Sequence, residues 1–139
     1  VYIMIGINEL GYPASSYEKG LKAMVDQVKE IQPNAVIYLQ TLPPVNEEKA
    51  ASSGLGSYIN NTNVNTFNEI IVETAKEKQV ALLDVASVFR SEQGDLPADM
   101  ASDGVHFKRD GYQLWYAYLR CHVLTAEEYA NAQPPAEEA

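Results

Sequence analysis

A single cysteine, Cys121, in 139 residues excludes an internal disulfide and any metal centre built on several thiolates. Bases are scarce too: ten Lys and Arg stand against nineteen Asp and Glu, a formal charge of −9. That is the wrong sign for gripping phosphate backbones, so nucleic acid is not expected as a partner. No apolar run approaches about 18 residues, so no membrane-spanning helix is expected. The start, Val1-Tyr2-Ile3-Met4-Ile5, lacks the basic n-region of a signal peptide. It also lacks an initiator Met and enters an apolar run at once, which reads as the continuation of something longer. Any export signal would precede Val1, so no compartment is assigned. What is present is ordinary for a soluble globular chain: 46% hydrophobic, 21% charged and one domain's worth of residues.

The apolar run 1–5, ended by Gly6, suits a strand covered on both faces and placed in the middle of a sheet. Ser15-Ser16-Tyr17-Glu18 has capping-box spacing, and Leu21, Met24, Val25, Val28 and Ile31 then recur at helical intervals until Pro33. Residues 35–41 make a second strand, cut off by Leu42-Pro43-Pro44. A loop rich in Gly, Ser and Asn is expected from there to about Asn61. Thr66 and Glu69 open a second capping box for a helix through Phe67, Ile70, Ile71, Thr74 and Ala75, and 80–85 is a third strand. A loop at 87–108 precedes a helix at 111–124 with Tyr112, Trp115, Leu119 and Val123 as its stripe. Thr125-Ala126-Glu127-Glu128 caps one more short helix before Gln133-Pro134-Pro135 and an acidic, solvated tail. Strand and helix alternate in order, which predicts an α/β fold with a parallel sheet and helices on its faces. The domain is expected over 1–124, with 125–139 as short helix and tail.

Ligands of an open parallel sheet bind outside the carboxyl ends of its strands, so the residues after each strand are the candidates. After the first come Gly6-Ile7-Asn8-Glu9, and on the long loop after the third come Asp103-Gly104-Val105-His106. An Asn amide on a turn can donate to a developing oxyanion, and a His can act as general base if a carboxylate holds its other ring nitrogen. Asp103, three residues before His106, is close enough in a loop to do so. Each residue also has a bland reading: Asn8 as a turn or helix cap, Asp103-Gly104 as a common turn dipeptide, His106 as a residue on the approach to a helix. Joint placement at one sheet edge favours the functional reading. Tyr12 and Val105 are further candidates for contacting substrate. Glu92, Asp95, Asp99 and Asp103 give a local charge of −4. If they surround His106, they favour its protonated form and disfavour anionic substrates.

These residues carry a resemblance. Gly6-Ile7-Asn8-Glu9 is similar to the third block, Gly-x-Asn-Asp, of the SGNH or GDSL-like hydrolases, and Asp103-Gly104-Val105-His106-Phe107, followed by Gly111-Tyr112, is similar to the fifth, Asp-x-x-His. Thr41-Leu42-Pro43-Pro44 and Asp84-Val85 resemble family features as well. The resemblance covers residues 1 to 124 and implies a three-layer α/β/α domain of flavodoxin-like architecture with a parallel sheet of about five strands, three of them in this chain. It implies Asn8 as an oxyanion-hole donor, His106 as general base and Asp103 as its orienting carboxylate, with no cofactor and no metal. Two departures stand out. Glu9 occupies the usual Asp position, and the Gly-Asp-Ser block that supplies the nucleophile has no match, nor has the second-block Gly.

No serine of the chain sits in a Gly-x-Ser-x-Gly elbow, and Ser15 and Ser16 read as caps. Cys121 and His122 are neighbours on a helix and point apart, so they form no dyad. The resemblance therefore implies the C-terminal portion of a serine esterase or acylhydrolase, acting on small-molecule or sugar esters, with its nucleophile upstream of Val1 and no activity on its own. An apolar first strand left unpaired predicts a companion N-terminal segment, or a homodimer through that edge. The alternative is a non-catalytic pseudo-hydrolase or carbohydrate-binding module, with Tyr12 and Tyr58 stacking on sugar rings. Asn60-Asn61-Thr62 fits a glycosylation sequon, although Asn and Thr are common where a loop enters a helix.

Overall fold

A computed structural model of the chain describes residues 1–132. Three short strands, β1 (Tyr2–Ile3), β2 (Tyr38–Gln40) and β3 (Ala81–Leu83), form a parallel sheet in the order β1-β2-β3. Tyr2 pairs with Tyr38, and Leu39 pairs with Ile3 on one side and Leu82 on the other. All three residues of β2 are buried, as befits the central strand. The helices are α1 (Ala14–Ile31), α2 (Glu47–Ser52), α3 (Asn61–Glu77), α4 (Val85–Phe89), α5 (Arg109–Cys121) and α6 (Ala126–Ala132).

Side chains alternate across a strand, so β2 feeds two cores. Ile37 and Leu39 pack with Leu21 and Val25 of α1 and Val64, Phe67 and Ile71 of α3. Tyr38 faces the other way, with Phe89 of α4 and Trp115 and Leu119 of α5. Each fully buried apolar side chain here contributes about 2 kcal/mol by transfer from water. The result is a parallel sheet with helices on both faces, as the alternation predicted, in the three-layer α/β/α arrangement that the resemblance implies. Two polar groups pin the second layer: the Trp115 indole N–H donates to the buried Gln40 side-chain oxygen at 2.9 Å, and Leu124 N–H donates to the Tyr38 hydroxyl at 2.8 Å.

Several local expectations are corrected. Among the described residues β1 is an edge strand of two residues, and its neighbours Val1, Met4 and Ile5 are exposed, so it is not covered on both faces. Helix α1 begins with Pro13 as N-cap, whose fixed φ suits entry to a helix, and Ser15 and Ser16 lie inside the first turn without capping. Helix α3 begins five residues before Thr66. Its cap is Asn60, whose side chain accepts from Asn63 N–H at 2.8 Å, while the Thr66 hydroxyl donates back to the Thr62 carbonyl. The loop at 42–61 contains α2, and the loop at 87–108 begins inside α4. Helix α5 starts at Arg109, two residues before Gly111, and ends at Cys121, with exposed His122 as its C-cap; the His122 ring stacks on Tyr118. The Thr125 to Glu128 capping box is formed in both directions. The Gln133-Pro134-Pro135 break and the acidic tail lie outside the described residues.

Candidate active site

The loop between α4 and α5 folds back on itself as a hairpin. Ser102 N–H donates to the His106 carbonyl, Lys108 N–H to the Met100 carbonyl, and Ala101 bridges Phe107 in antiparallel fashion. At its tip the Asp103 carboxylate uses both oxygens. Oδ1 accepts the N–H groups of Val105 at 3.0 Å and His106 at 2.8 Å, an Asx turn; Oδ2 lies 2.7 Å from Nδ1 of the His106 ring. One side chain therefore makes both the contacts of the turn and the contact to the ring. Acceptance of the His106 N–H, the His106 ring and the Val105 N–H holds the Asp103 carboxyl at about 2, below the ordinary carboxylate value. An ionised Asp103 accepts a proton-bearing Nδ1, which leaves Nε2 as the basic nitrogen of neutral His106. The side chain of Asp103 is 29% exposed and that of His106 is 72% exposed, so the ring is reachable from solvent.

Gly104 makes this tip possible. Its φ is +94°, and a Cβ there would lie 2.5 Å from the Asn46 carbonyl oxygen and 2.6 Å from the Ala50 nitrogen. The tip is thus pressed on the start of α2, where Asn46 N–H donates to the Gly104 carbonyl at 2.9 Å.

His106 and Val105 line a cleft of about 130 Å³ with Met4 and Ile7 after β1, the segment from Leu42 to Val45 after β2, and Tyr112 and Trp115 of α5. Its walls are mostly apolar. Asn8 follows cleft-lining Ile7 on a single 3-10 turn, Ile7–Glu9, entered through Gly6 at φ +143°. Asn8 is exposed and caps nothing: its amide has no hydrogen-bond partner among the described residues. The structure thus brings Asp103, His106 and Val105 together and places the Asn8 turn beside the same cleft. It separates Tyr12, which lines a different apolar hollow with Ile5, Tyr17 and Met24 against α1. Glu9 faces that hollow too; burial first, and the charge of Glu9 second, hold the Tyr17 hydroxyl above its ordinary value. Tyr58 packs against Gly11 and Gly56, away from the cleft lining.

Among the four acidic residues of 91–103, Asp103 alone contacts the ring; Asp95 accepts from the Ser91 hydroxyl. The acidic stretch therefore does not surround His106 as expected. No helix among the described residues is long and apolar enough to cross a membrane, and no cluster there has three or more metal-ligating side chains. Asn60 of the sequon is engaged at both ends of its amide, donating to the Ser57 carbonyl and capping α3. Sequence reasoning missed Asn46, the N-cap of α2, and Lys49 within it, which contact the loop between α4 and α5 across about fifty residues; the acidic pair after Asn46 was the one local signal that a helix starts there.

Comparison with known proteins bears on the family and the fold. The isoamyl acetate-hydrolyzing esterase of Saccharomyces cerevisiae is 27% identical over 73 residues, 52% of this chain and 31% of its own length. A solved Streptococcus pneumonia protein, provisionally described as a platelet activating factor, superposes with a TM-score of 0.78 at 27% identity over 87% of this chain and 57% of its own. The acetyl xylan esterase AlAXEase shares the fold, with a TM-score of 0.69 at 16% identity over 89% of this chain and 66% of its own. The chain therefore spans less than two thirds of each of these relatives. The family model described as GDSL-like Lipase/Acylhydrolase matches residues 1–114, from β1 through the Asp103 and His106 loop into α5, and the chain belongs to that family.

Proposed function

We propose that this chain carries the acid–base half of a serine esterase for short acyl esters, with sugar acetates among its substrates. The observation that carries the reading is the 2.7 Å contact between Asp103 Oδ2 and His106 Nδ1, with the ring exposed at the rim of an apolar cleft. His106 is the general base: Nε2 takes the proton of a serine hydroxyl as its oxygen bonds to the ester carbonyl, then returns it to the departing alcohol. A second cycle with water releases the acid. Asp103 fixes the tautomer and stabilises the imidazolium. The free amide of Asn8 donates to the tetrahedral oxyanion, an interaction worth about 3 kcal/mol in comparable sites. Val105 contacts the acyl group from the cleft wall. The names of the yeast esterase and the acetyl xylan esterase support the short-acyl and sugar-ester classes.

The nucleophile is proposed to lie on a segment preceding Val1 that adds a strand to the free edge of β1. The exposed Val1, Tyr2 and Ile5 support this, as does the greater length of the relatives. A second copy of the chain is the other occupant of that edge. In a protein that includes the preceding segment, His106→Ala should lower p-nitrophenyl acetate hydrolysis by at least about 10³-fold. Turnover that survives the substitution removes His106 as the base.

A further inference from the structure

Helix α2, which carries none of the proposed catalytic groups, holds the loop that does. Its N-cap Asn46 donates through Nδ2 to the Leu96 carbonyl at 2.9 Å and through its backbone N–H to the Gly104 carbonyl at 2.9 Å. One turn on, the half-buried Lys49 donates through Nζ to the Ala98 carbonyl at 2.8 Å and the Ala101 carbonyl at 2.7 Å. No carboxylate pairs with Lys49 among the described residues. Its ammonium is therefore committed to loop backbone, and hydrogen bonds from a charged donor are the stronger kind. Helix and loop are further joined by Leu96 N–H to the Val45 carbonyl. The helix is itself fixed to α3, since Asn61 N–H donates to Glu47 and the Asn61 side chain brackets both backbone groups of Val45.

These bonds end on four loop carbonyls, of Leu96, Ala98, Ala101 and Gly104, and the last two flank Asp103 within two residues. We propose that Asn46 and Lys49 are positioning residues: they clamp the backbone of 96–104 so that Asp103 meets both the His106 ring and the amide of Val105. The proposal rests on the reading of His106 as the base, but its geometry can be tested without turnover. A loop without the Lys49 clamp loses two anchors. The Asx turn then opens part of the time, and Asp103 loses acceptor contacts that favour its charged form.

The test follows the Asp103 carboxyl carbon by NMR titration in the full chain, together with amide exchange at Val105 and His106. Lys49→Met keeps the stem and removes the donors. The expected result is an upward move of the Asp103 midpoint by about one pH unit and exchange at the two amides faster by about tenfold. Exchange in α1 should be unchanged. Lys49→Arg, which keeps a charged donor, should restore both readouts. An unchanged Asp103 midpoint in folded Lys49→Met overturns the proposal, as does an arginine variant no better than methionine. If Lys49→Met does not fold, Lys49→Gln is held to the same criteria. Hydrolysis by the nucleophile-bearing protein is measured alongside. Turnover that survives His106→Ala removes the functional reading and leaves the Asp103 titration standing, so the two failures are distinguishable.

Discussion

At the scale of single residues, Asp103 is where charge, turn geometry and the proposed chemistry coincide. Its carboxyl titrates near 2 in the folded chain against about 3.9 for a free aspartate, so its contacts stabilise the fold fully above the unfolded value. That stability is lost as pH falls through the folded value. The advantage of the parent over Asp103→Asn should therefore be constant from pH 7 to about 5 and shrink between 4 and 2. Denaturant midpoints at pH 7, 4 and 2 measure it, and a gap independent of pH would contradict the assignment. Two glycines make a second contrast. Gly104→Ala forces a side chain into a left-handed φ and against backbone atoms of α2, and should cost about 2 kcal/mol or more. Gly20→Ala in mid-α1 meets nothing within 4 Å and should stabilise by about 0.5 to 1 kcal/mol. Thermal unfolding of both proteins should move in opposite directions.

At the scale of elements, what the sequence disclosed depended on length. Helices α1 and α5 were legible because their apolar positions recur over several turns. Helix α2 is six residues long with one buried member, Ala50, too little for any period to show; α4 follows β3 so closely that Val85 read as the end of a strand. The start of α3 was misplaced because Thr66 and Glu69 have capping-box spacing, whereas Asn60 and Asn63 supply the actual cap. Asn60→Ala should therefore cost about 1 kcal/mol, and Thr66→Ala only a few tenths, by urea unfolding. Equal losses would mean that the helix begins later. The proposed site divides in the same way. Asp103 and His106 are three residues apart, and their pairing could be read directly. The anchors from Asn46 and Lys49 span about fifty residues, a separation no local pattern encodes.

At the scale of the whole molecule, strand and helix alternation disclosed a parallel sheet with helices on its faces, and the missing upstream blocks pointed to an apolar edge left open at the first strand, which is where β1 lies among the described residues. The edge carries Tyr2 at 47% exposure, stacked on Tyr38, beside the apolar hollow of Ile5, Tyr17, Leu21 and Met24. An open parallel edge with apolar flanks invites association. Light scattering should show concentration-dependent growth for the chain alone, and Ile5→Lys should reduce it by placing a charge at that edge. A monodisperse 15.4 kDa species at all concentrations would instead mean that the edge is self-sufficient.

The proposed base and its orienting carboxylate sit on one hairpin, three residues apart, and the hydrogen bonds of the Asp103 side chain all run to that hairpin's own tip. Closing so short a loop costs little chain entropy, so the distant anchors from α2 have only to hold the tip closed. During synthesis the pair can assemble as soon as α2 is there to receive Gly104, and exchanges in the strands or in α1 leave its internal distances alone. Substrate preference in the proposed site can therefore be redrawn at the less buried parts of the cleft wall, Pro43 and Tyr112, without disturbing the contact between Asp103 and His106.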